Sequence, residues 1–517
     1  MKLRTNRLHT SESIEDARRG LDALLAERAA WFLRERPDGT AFELRRGEWE
    51  LRASAGSLIF SFWSETGART WRVRAWAREG DRILLEATRR AGAERARLEL
   101  VARATHAEAR LGVADARRAA CARLTALVSA ERAGSKVEQS RLSAGARRGE
   151  PGRYARLLLR HGRALVAATG PVVELGAEDA DALLASALLW FARLGERAAG
   201  KRPRELWLVV PPKLCDPVAE RLALLREDLR ASIQLSEVDE EQRHLTDMRT
   251  CGLDELLDAP APRLSRPLKM DESSELAARL VALAPEAVDV VRARRGETLR
   301  FHGLAFARVR RVFGVERLWF GTGRGGGRRL LDETNWPELL KLLEELSEHR
   351  RAGAGDRRHA LYAAAPEAWL EALLRRDITR LDPGLRLAPL HAQFRVSRDA
   401  SGGARPVDLL ALRRDGRLVV VELKVSEDAA LPLQGADYWR RITAHQRAGH
   451  ITRARLFGDA FIADDPPLVY LVAPLLRFHR SFQTLAHCIT PEIEMYRFDL
   501  NEDWRAGVRV ARRVRVG

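Results

Sequence analysis

The sequence is poor in cysteine and contains no long hydrophobic run. Four cysteines occur in 517 residues, and none has the CxxC or Cys/His spacing of a metal-ligand set. This pattern argues against a zinc site and against a disulfide framework. No apolar stretch approaches the roughly 18 residues that a membrane-spanning helix needs. The N-terminal segment MKLRTNRLHTSESIEDARRG has no apolar region of a signal peptide, so we expect a cytoplasmic protein.

Lysine is scarce although the chain is strongly basic. Seven of the 89 Lys and Arg residues are lysine, and the formal net charge is +17 at pH 7. A basic chain favours polyanionic partners such as nucleic acid, because neutralising phosphates supplies affinity for any sequence. Abundant arginine, alanine and leucine are also typical of a GC-rich bacterial genome, so the charge supports this partner only modestly. Arginine does suit phosphate geometrically, through its planar, bidentate guanidinium group.

The hydrophobic pattern divides the chain into several segments, and an apolar content of 46% is ample for their cores. Helical spacing over residues 12–36 and 103–132 flanks an alternating pattern from 41 to 101, which predicts six short strands. Residues 135–152 and 260–268 are predicted linkers. We predict an α/β multidomain protein with four domains: an N-terminal helix plus a β-meander (1–135), an α/β domain (150–258), a small α+β domain (270–352) and a C-terminal α/β domain (355–517).

Four tryptophans of the β-rich N-terminal domain have two possible roles. Trp49, Trp63, Trp71 and Trp76 could stack nucleic-acid bases beside neighbouring arginines. Filling the core of a small sheet is the more common role of such aromatic residues, so we expect these four side chains to lie in the core.

The most informative segment runs from Pro406 to Val425. Two β-rich apolar runs are joined around Asp415-Gly416, a dipeptide that favours a tight hairpin turn. Folding at this turn brings Asp408 to the same end of the hairpin as Glu422 and Lys424, which share a face. Charged residues are rarely buried unless they are paired or bind a ligand. Two carboxylates beside one ammonium group predict a site for a hard divalent cation such as Mg²⁺; the alternative is a solvent-facing pair on an edge strand.

This arrangement resembles the PD-(D/E)xK nuclease superfamily, whose core has the restriction-endonuclease-like fold. Asp408 matches the aspartate of the family, and Glu422-Leu423-Lys424 matches its ExK triplet. The resemblance implies that Asp408 and Glu422 bind Mg²⁺, with Mn²⁺ as an alternative, and that the Leu423 carbonyl joins them. It also implies that Lys424 orients or deprotonates the attacking water. We expect desolvation beside the metal to lower the pKa of Lys424.

Two predicted helices extend the resemblance, which covers residues 360–500. Gln434 and Tyr438 resemble the QxxxY helix motif of the RecB-like branch. The resemblance implies that they position metal ligands or a backbone phosphate. Glu367 and Glu371 share one helix face where the superfamily often has a further acid. One of these two would complete the ligand set, and the sequence leaves open which one.

The expected function is therefore Mg²⁺-dependent hydrolysis of phosphodiester bonds in nucleic acid, with DNA favoured as substrate. One alternative is a DNA-binding or assembly protein that has kept the nuclease-like scaffold without catalysis. Another is a metal-dependent hydrolase of a different phosphate substrate. The complete set of Asp408, Glu422 and Lys424 favours catalysis, because an inactive scaffold has no reason to keep buried charges.

The 150–258 domain repeats the predicted element order of the C-terminal domain. Both contain a hairpin, a helix, a strand, a helix and a strand, and LWLVVP at 206–211 resembles VYLVAP at 469–474. Aligning the two predicted hairpin turns places Tyr154, Ala168 and Gly170 at the positions of Asp408, Glu422 and Lys424. The domain is then either a degenerate, inactive copy or an unrelated α/β domain with the same element order.

Overall fold

The protein has four β-sheets with helices packed against them, and it is a mixed α/β protein. No helix in the described part of the chain is both long and apolar enough to cross a membrane. The computed structural model describes residues 11–516 except for gaps at 29, 37–40, 46–47, 55–56, 65–66, 81, 90–93, 102, 146–149, 198–201, 240–243, 262–263, 265–273, 294–295, 313–314, 323–328 and 395–405.

The N-terminal unit is a seven-stranded antiparallel sheet with the order β2-β1-β7-β6-β5-β4-β3, covered by one helix. The helix packs its apolar face on a core that includes Phe60 and Trp71. Its elements are α1 (Ser11–Ala26), β1 (Ala30–Arg36), β2 (Ala41–Arg45), β3 (Trp49–Ser54), β4 (Ser57–Ser64), β5 (Gly67–Glu79), β6 (Arg82–Arg89) and β7 (Glu94–Val101).

Two expectations for this unit have different outcomes. The predicted helix over 12–36 is too long, because Trp31 and Leu33 are buried with the alternating spacing of a strand and β1 pairs with β7. The expected core role of the tryptophans holds for three of them. Trp71 is buried, and Trp49 and Trp76 pack against the same core; the Trp63 side chain lies outside the described residues.

The middle unit is a six-stranded mixed sheet with the order β13-β12-β11-β10-β9-β8. The predicted linker over 135–152 is wrong, because β8 occupies much of it as an edge strand paired with β9. Most side chains of β8 are exposed, so the strand lacks an apolar alternation. The elements of the unit are α2 (Arg103–Glu131), β8 (Lys136–Ala144), β9 (Pro151–His161), β10 (Ala164–Pro171), α3 (Ala180–Arg197), β11 (Glu205–Val210), α4 (Pro212–Leu222), α5 (Glu227–Arg230), β12 (Ile233–Asp239), β13 (His244–Asp247) and α6 (Leu253–Asp258).

A small unit with a five-stranded antiparallel sheet follows. Its elements are α7 (Glu275–Leu283), β14 (Val288–Ala293), β15 (Gly296–Phe301), β16 (Leu304–Val312), β17 (Val315–Phe320), β18 (Arg329–Leu330), α8 (Trp336–His349) and α9 (Ala360–Ala363). Arg350, just after α8, is fully buried. Its guanidinium group donates to the carbonyl oxygens of Phe301, Leu361 and Ala364 and lies over the Trp369 ring. This residue therefore joins the small unit to the C-terminal unit.

The C-terminal unit is a second six-stranded mixed sheet, with the order β19-β20-β21-β22-β23-β24. The predicted hairpin forms between β20 and β21, and Gly416 takes the positive φ of +89° that its turn requires. The elements are α10 (Pro366–Arg376), β19 (His391–Phe394), β20 (Val407–Leu412), β21 (Leu418–Leu423), α11 (Leu431–Arg447), α12 (His450–Arg453), β22 (Leu468–Pro474), α13 (Phe482–Ala486), β23 (Met495–Leu500) and β24 (Val510–Val516).

The middle and C-terminal sheets have the same strand order and the same strand directions. In each sheet, neighbouring strands among the first three are antiparallel. The third, fourth and fifth strands are parallel to one another, and the sixth strand is antiparallel to the fifth. A long helix follows the third strand in both, α3 in one and α11 in the other. The repeated element order seen in the sequence therefore corresponds to a repeated sheet topology.

The two units meet at equivalent points of this topology. Leu225, which follows α4, forms an antiparallel bridge with Ile489, which follows the corresponding helix α13. The Arg226 N–H donates to the Cys488 carbonyl, and the Thr490 N–H donates to the Leu224 carbonyl, each at 2.9 Å. Helices α3, α4, α11 and α13 contribute to one continuous hydrophobic core. The pair is thus packed as a two-fold-like dimer within one chain.

Candidate metal and catalytic site

Strands β20 and β21 bring Asp408 and Glu422 together. Leu409 pairs with Val421, so the next step of the ladder places Asp408 opposite Glu422 on the same sheet face. The Leu423 N–H donates to Asp408 Oδ2 at 2.9 Å, which holds that carboxylate against β21. Glu422 is 2% exposed, and burial together with the nearby Asp408 charge raises its pKa well above the ordinary value. The site therefore carries two closely spaced carboxyl groups.

Lys424 lies beside this pair, as the sequence predicted. Its pKa is raised, however, whereas we expected it to be lowered. Its ammonium group donates to Glu422 Oε1 at 2.6 Å, and its side chain is 14% exposed. Burial lowers the pKa of Lys424, but the Glu422 and Asp408 carboxyl groups raise it by more, so that it lies above the ordinary value. The ammonium form is therefore the stable one at neutral pH, and Lys424 is a cation in this site.

Glu371, on α10, is connected to Asp408 by a residue that the sequence did not single out. Gln393 is opposite Asp408, because its neighbours Ala392 and Phe394 pair with Leu409 and Val407. Its amide group donates to Glu371 Oε2 at 2.9 Å and to Asp408 Oδ1 at 3.2 Å. Gln393 thus holds one acid of the helix and one acid of the sheet in place.

The small unit also reaches the site. Arg300, on β15, lies 3.6 Å from Glu371 Oε1. Burial raises the pKa of Glu371, while Arg300 and the Gln393 hydrogen bond partly offset this effect. Arg375, from the same helix as Glu371, donates to Asp289 at 2.8 Å. These contacts connect the position of α10 to the small unit.

Glu367 lies at the open side of the same region. Its residue surface is exposed, yet the surrounding protein atoms desolvate its carboxyl group enough to raise its pKa. The Lys424 ammonium group and the Val425 N–H act in the opposite direction, and Asp408 adds to the rise. Both glutamates that the sequence singled out on α10 therefore approach the site, Glu371 from the buried side and Glu367 from the exposed side.

The QxxxY motif lies on the buried face of α11. Gln434 and Tyr438 are each 3% exposed. Burial raises the pKa of Tyr438, and the Glu422 and Asp408 charges raise it further, which places the phenol near the carboxylate pair. The Gln434 amide donates to Asp428 Oδ2 at 3.4 Å, while its Oε1 is buried without a hydrogen-bond partner among the described residues. Asp428 is a second polar neighbour that the sequence reasoning missed.

The donor set partly fits a hard cation. Glu422 Oε2 is buried with no hydrogen-bond donor in the described part of the chain, and it belongs to the same pair as Asp408. Such an orphaned carboxylate oxygen is a suitable ligand for Mg²⁺. Within the described residues, no group of three or more His, Cys, Asp and Glu side chains is arranged to hold a metal. As they stand, Glu367 and Glu371 therefore do not complete a three-carboxylate set with the pair.

The corresponding position of the middle unit contains no carboxylate, although the residues differ from those that the sequence alignment gave. Ala167 pairs with Leu206 in LWLVVP, and Val420 pairs with Val469 in VYLVAP. Two residues further on, Thr169 therefore corresponds to Glu422.

Thr169 pairs with Arg156, just as Glu422 stands opposite Asp408, so Arg156 corresponds to Asp408. Pro171, two residues after Thr169, corresponds to Lys424. The assignment of Tyr154, Ala168 and Gly170 is wrong because the two hairpin loops differ in length: β9 and β10 are joined by residues 162–163, and β20 and β21 by residues 413–417.

Comparison of the chain with protein-family models, with curated proteins and with solved structures finds no match. The functional interpretation therefore depends on the geometry of the site and on the resemblance of its motifs.

Proposed function

We propose that the protein is a Mg²⁺-dependent nuclease that hydrolyses phosphodiester bonds of nucleic acid, with DNA as the favoured substrate. The observation that carries this proposal is the convergence of Asp408, Glu422 and Lys424 at one end of a mixed sheet, where Glu422 Oε2 has no hydrogen-bond partner among the described residues. On this proposal the C-terminal unit has a restriction-endonuclease-like core, and the middle unit is a copy without a catalytic centre.

In the proposed site, Asp408 and Glu422 bind the metal and Leu423 positions Asp408 through its N–H group. A bound Mg²⁺ would lower the pKa of a water molecule and neutralise phosphate charge during the displacement. Lys424 is favoured as a fixed positive charge that donates hydrogen bonds from Nζ, because its pKa is raised. It would orient the attacking water and offset the charge that develops on the phosphate oxygens.

The neighbouring residues would act through the carboxylates. Gln393 holds Asp408 Oδ1 and so fixes the direction of its carboxylate plane. Tyr438 and Gln434 form the wall opposite the sheet and restrict water around Glu422. Glu367, at the exposed side, is placed to contact the substrate or a metal-bound water rather than to share the buried cation.

The decisive experiment is incubation of the purified protein with supercoiled plasmid, linear duplex, single-stranded DNA and RNA. Each substrate is tested with Mg²⁺, with Mn²⁺ and with EDTA, and the products are separated on gels. We expect cleavage with either metal and none with EDTA. Comparing DNA with RNA determines the substrate, and comparing circular with linear DNA separates endonuclease from exonuclease action.

Two variants make the test specific to the site. Asp408→Asn should abolish cleavage, because it removes a ligand charge. Asp464→Asn should cut like wild type, because Asp464 is exposed in the loop before β22, at the opposite end of the sheet. Metal-independent binding of DNA without any cleavage would favour the alternative of a non-catalytic DNA-binding protein, and cleavage by the Asp408 variant would remove the site from the chemistry.

A further inference from the structure

One cross-strand ladder of side chains in the middle unit corresponds to the ladder that contains Asp408 and Glu422 in the C-terminal unit. The ladder of the middle unit is positively charged, whereas that of the C-terminal unit is negatively charged. In the C-terminal unit the ladder across β19, β20 and β21 consists of Gln393, Asp408 and Glu422. In the middle unit the corresponding ladder across β8, β9 and β10 consists of Arg141, Arg156 and Thr169, because Arg141 pairs with Arg156 and Arg156 pairs with Thr169. Two arginines thus stand where the other unit has an amide and a carboxylate.

Helix α3 adds a third arginine to this ladder. Arg156 donates to Ser186 Oγ at 3.3 Å and lies 5.7 Å from the centre of the Trp190 ring. Arg193 follows on the same helix face, three residues after Trp190, and its charge acts on Arg156. Arg141 and Arg193 are exposed, and Arg156 is half-buried. We call Arg141, Arg156 and Arg193 the arginine cluster.

Without a bound anion, the arginine cluster destabilises the folded protein. Like charges directly opposite each other on neighbouring strands are destabilising. Burial and the charges of Arg141 and Arg193 together lower the pKa of Arg156. No carboxylate forms an ion pair with the three arginines in the part of the chain that the structure describes. An anion bound between them would relieve this repulsion, and the bidentate guanidinium group matches the oxygens of a phosphate.

We propose that the arginine cluster binds a backbone phosphate of the nucleic acid, so that the middle unit holds the substrate that the C-terminal unit cuts. This inference rests on the proposed function. The two units pack as a two-fold-like pair through the Leu225–Ile489 bridge and a shared core. Their ladders occupy the same place in the two sheets, one suited to a cation and the other suited to an anion. On this proposal, the middle unit binds the nucleic acid and does not cut it.

The test measures binding without cleavage, in EDTA, as the fluorescence anisotropy of labelled duplex DNA over a series of salt concentrations. The double variant Arg141→Ala/Arg193→Ala removes two exposed arginines and spares Arg156, which packs on Trp190. The slope of log K against log salt should become shallower by about 0.9, which is the change for one phosphate that the protein no longer neutralises. In cleavage assays KM should rise while kcat is kept.

The matched control is Arg163→Ala/Arg202→Ala. Both residues are exposed, and they lie before β10 and before β11, at the opposite end of the same sheet. This variant should keep the wild-type salt slope. If wild type binds DNA and the Arg141/Arg193 variant has an unchanged slope, the arginine cluster does not bind phosphate and the inference is overturned. If wild type binds no nucleic acid, the proposed function itself fails.

Discussion

Arg221, on α4 of the middle unit, donates a hydrogen bond of 3.1 Å to Asp437, the residue before Tyr438 on α11. Its guanidinium group also donates to Asp181 at 2.7 Å, and all three side chains are buried. Burial acts to raise the pKa of Asp437, but Arg221, Arg441 and Arg440 lower it by more, so it lies far below its ordinary value. One buried arginine therefore connects the middle unit to the helix that lines the candidate site.

The first prediction concerns this contact. Arg221→Met should lower the free energy of unfolding by roughly 3 to 5 kcal/mol, because it leaves the buried Asp181 carboxylate without its partner and removes one of the three arginines around Asp437. Urea unfolding with linear extrapolation measures the change. Arg249→Met is the control, because Arg249 forms an exposed pair with Glu255 and its loss should change little. Equal stability of Arg221→Met and wild type would show that the buried pair does not hold the units together.

The second prediction concerns Lys424. Lys424→Ala should slow cleavage by roughly 100-fold or more, which is the range for loss of a positioned proton-handling or charge-stabilising group. DNA binding should change little, because many arginines supply the phosphate affinity. Lys424→Arg should also be inactive, because the bulkier guanidinium group does not fit between the buried carboxyl groups.

Rates under single-turnover conditions and anisotropy in EDTA measure these two properties separately. Lys341→Ala is the control, because Lys341 is exposed on α8 and lies outside the site. A Lys424 variant that cuts at the wild-type rate would remove this residue from the reaction.

The third prediction concerns the pH dependence of Mg²⁺ binding. The raised pKa of Glu422 means that its proton competes with a cation, so Mg²⁺ should bind more tightly as pH rises. In the absence of a cation the same raised pKa makes the folded protein less stable as pH rises through it, because the folded state holds the proton more tightly than the unfolded chain does. The increase in melting temperature that Mg²⁺ produces should therefore grow with pH.

Thermal unfolding at several pH values, with and without Mg²⁺, tests this prediction without any activity assay. Glu422→Gln should lose the Mg²⁺ effect at every pH. Glu427→Gln should keep it, because Glu427 is exposed beyond the end of β21. A stabilisation by Mg²⁺ that is the same at all pH values would mean that the cation does not replace the proton of Glu422.

The fourth prediction follows from the difference between the two units. The proposed catalytic residues occur in the C-terminal unit, whereas the middle unit has Arg156, Thr169 and Pro171 at the corresponding positions. On supercoiled plasmid, nicked circles should therefore accumulate before linear DNA, and the initial rate should be proportional to protein concentration. Linear DNA that forms directly, with a rate that rises more steeply than the protein concentration, would instead indicate two catalytic centres acting together.

Several features of the site could be predicted because they depend on neighbours in the sequence. The Asp415-Gly416 turn fixes the hairpin, and the period of two then places Asp408 and Glu422 on one face at one end. The spacing of Gln434 and Tyr438 places both on one side of α11. The repeated order of hairpin, helix and strand was also visible in the sequence, because each of these elements has a local sequence pattern; whether the sheets share one strand order depended on the structure.

Other features could not be predicted because they depend on residues that are distant in the sequence. Gln393 meets Glu371 only because β19 pairs with β20 beside α10. The edge strand β8 carries mostly exposed side chains, so it has no hydrophobic signal of its own. The raised pKa of Lys424 is the sum of desolvation and several carboxyl charges, and the sign of that sum depends on how closely Glu422 and Asp408 approach.

The sequence by itself determined that two carboxylates and one lysine share the end of a hairpin, since strand period and turn chemistry act over a few residues. The tertiary structure alone decided what surrounds them: Gln393 and Arg300 hold Glu371, α11 closes the opposite side, and a second unit of the same topology packs alongside. It also decided that the second unit has arginines at the corresponding place. Charge and burial at a site are sums over all packed neighbours, and most of those neighbours come from other parts of the chain.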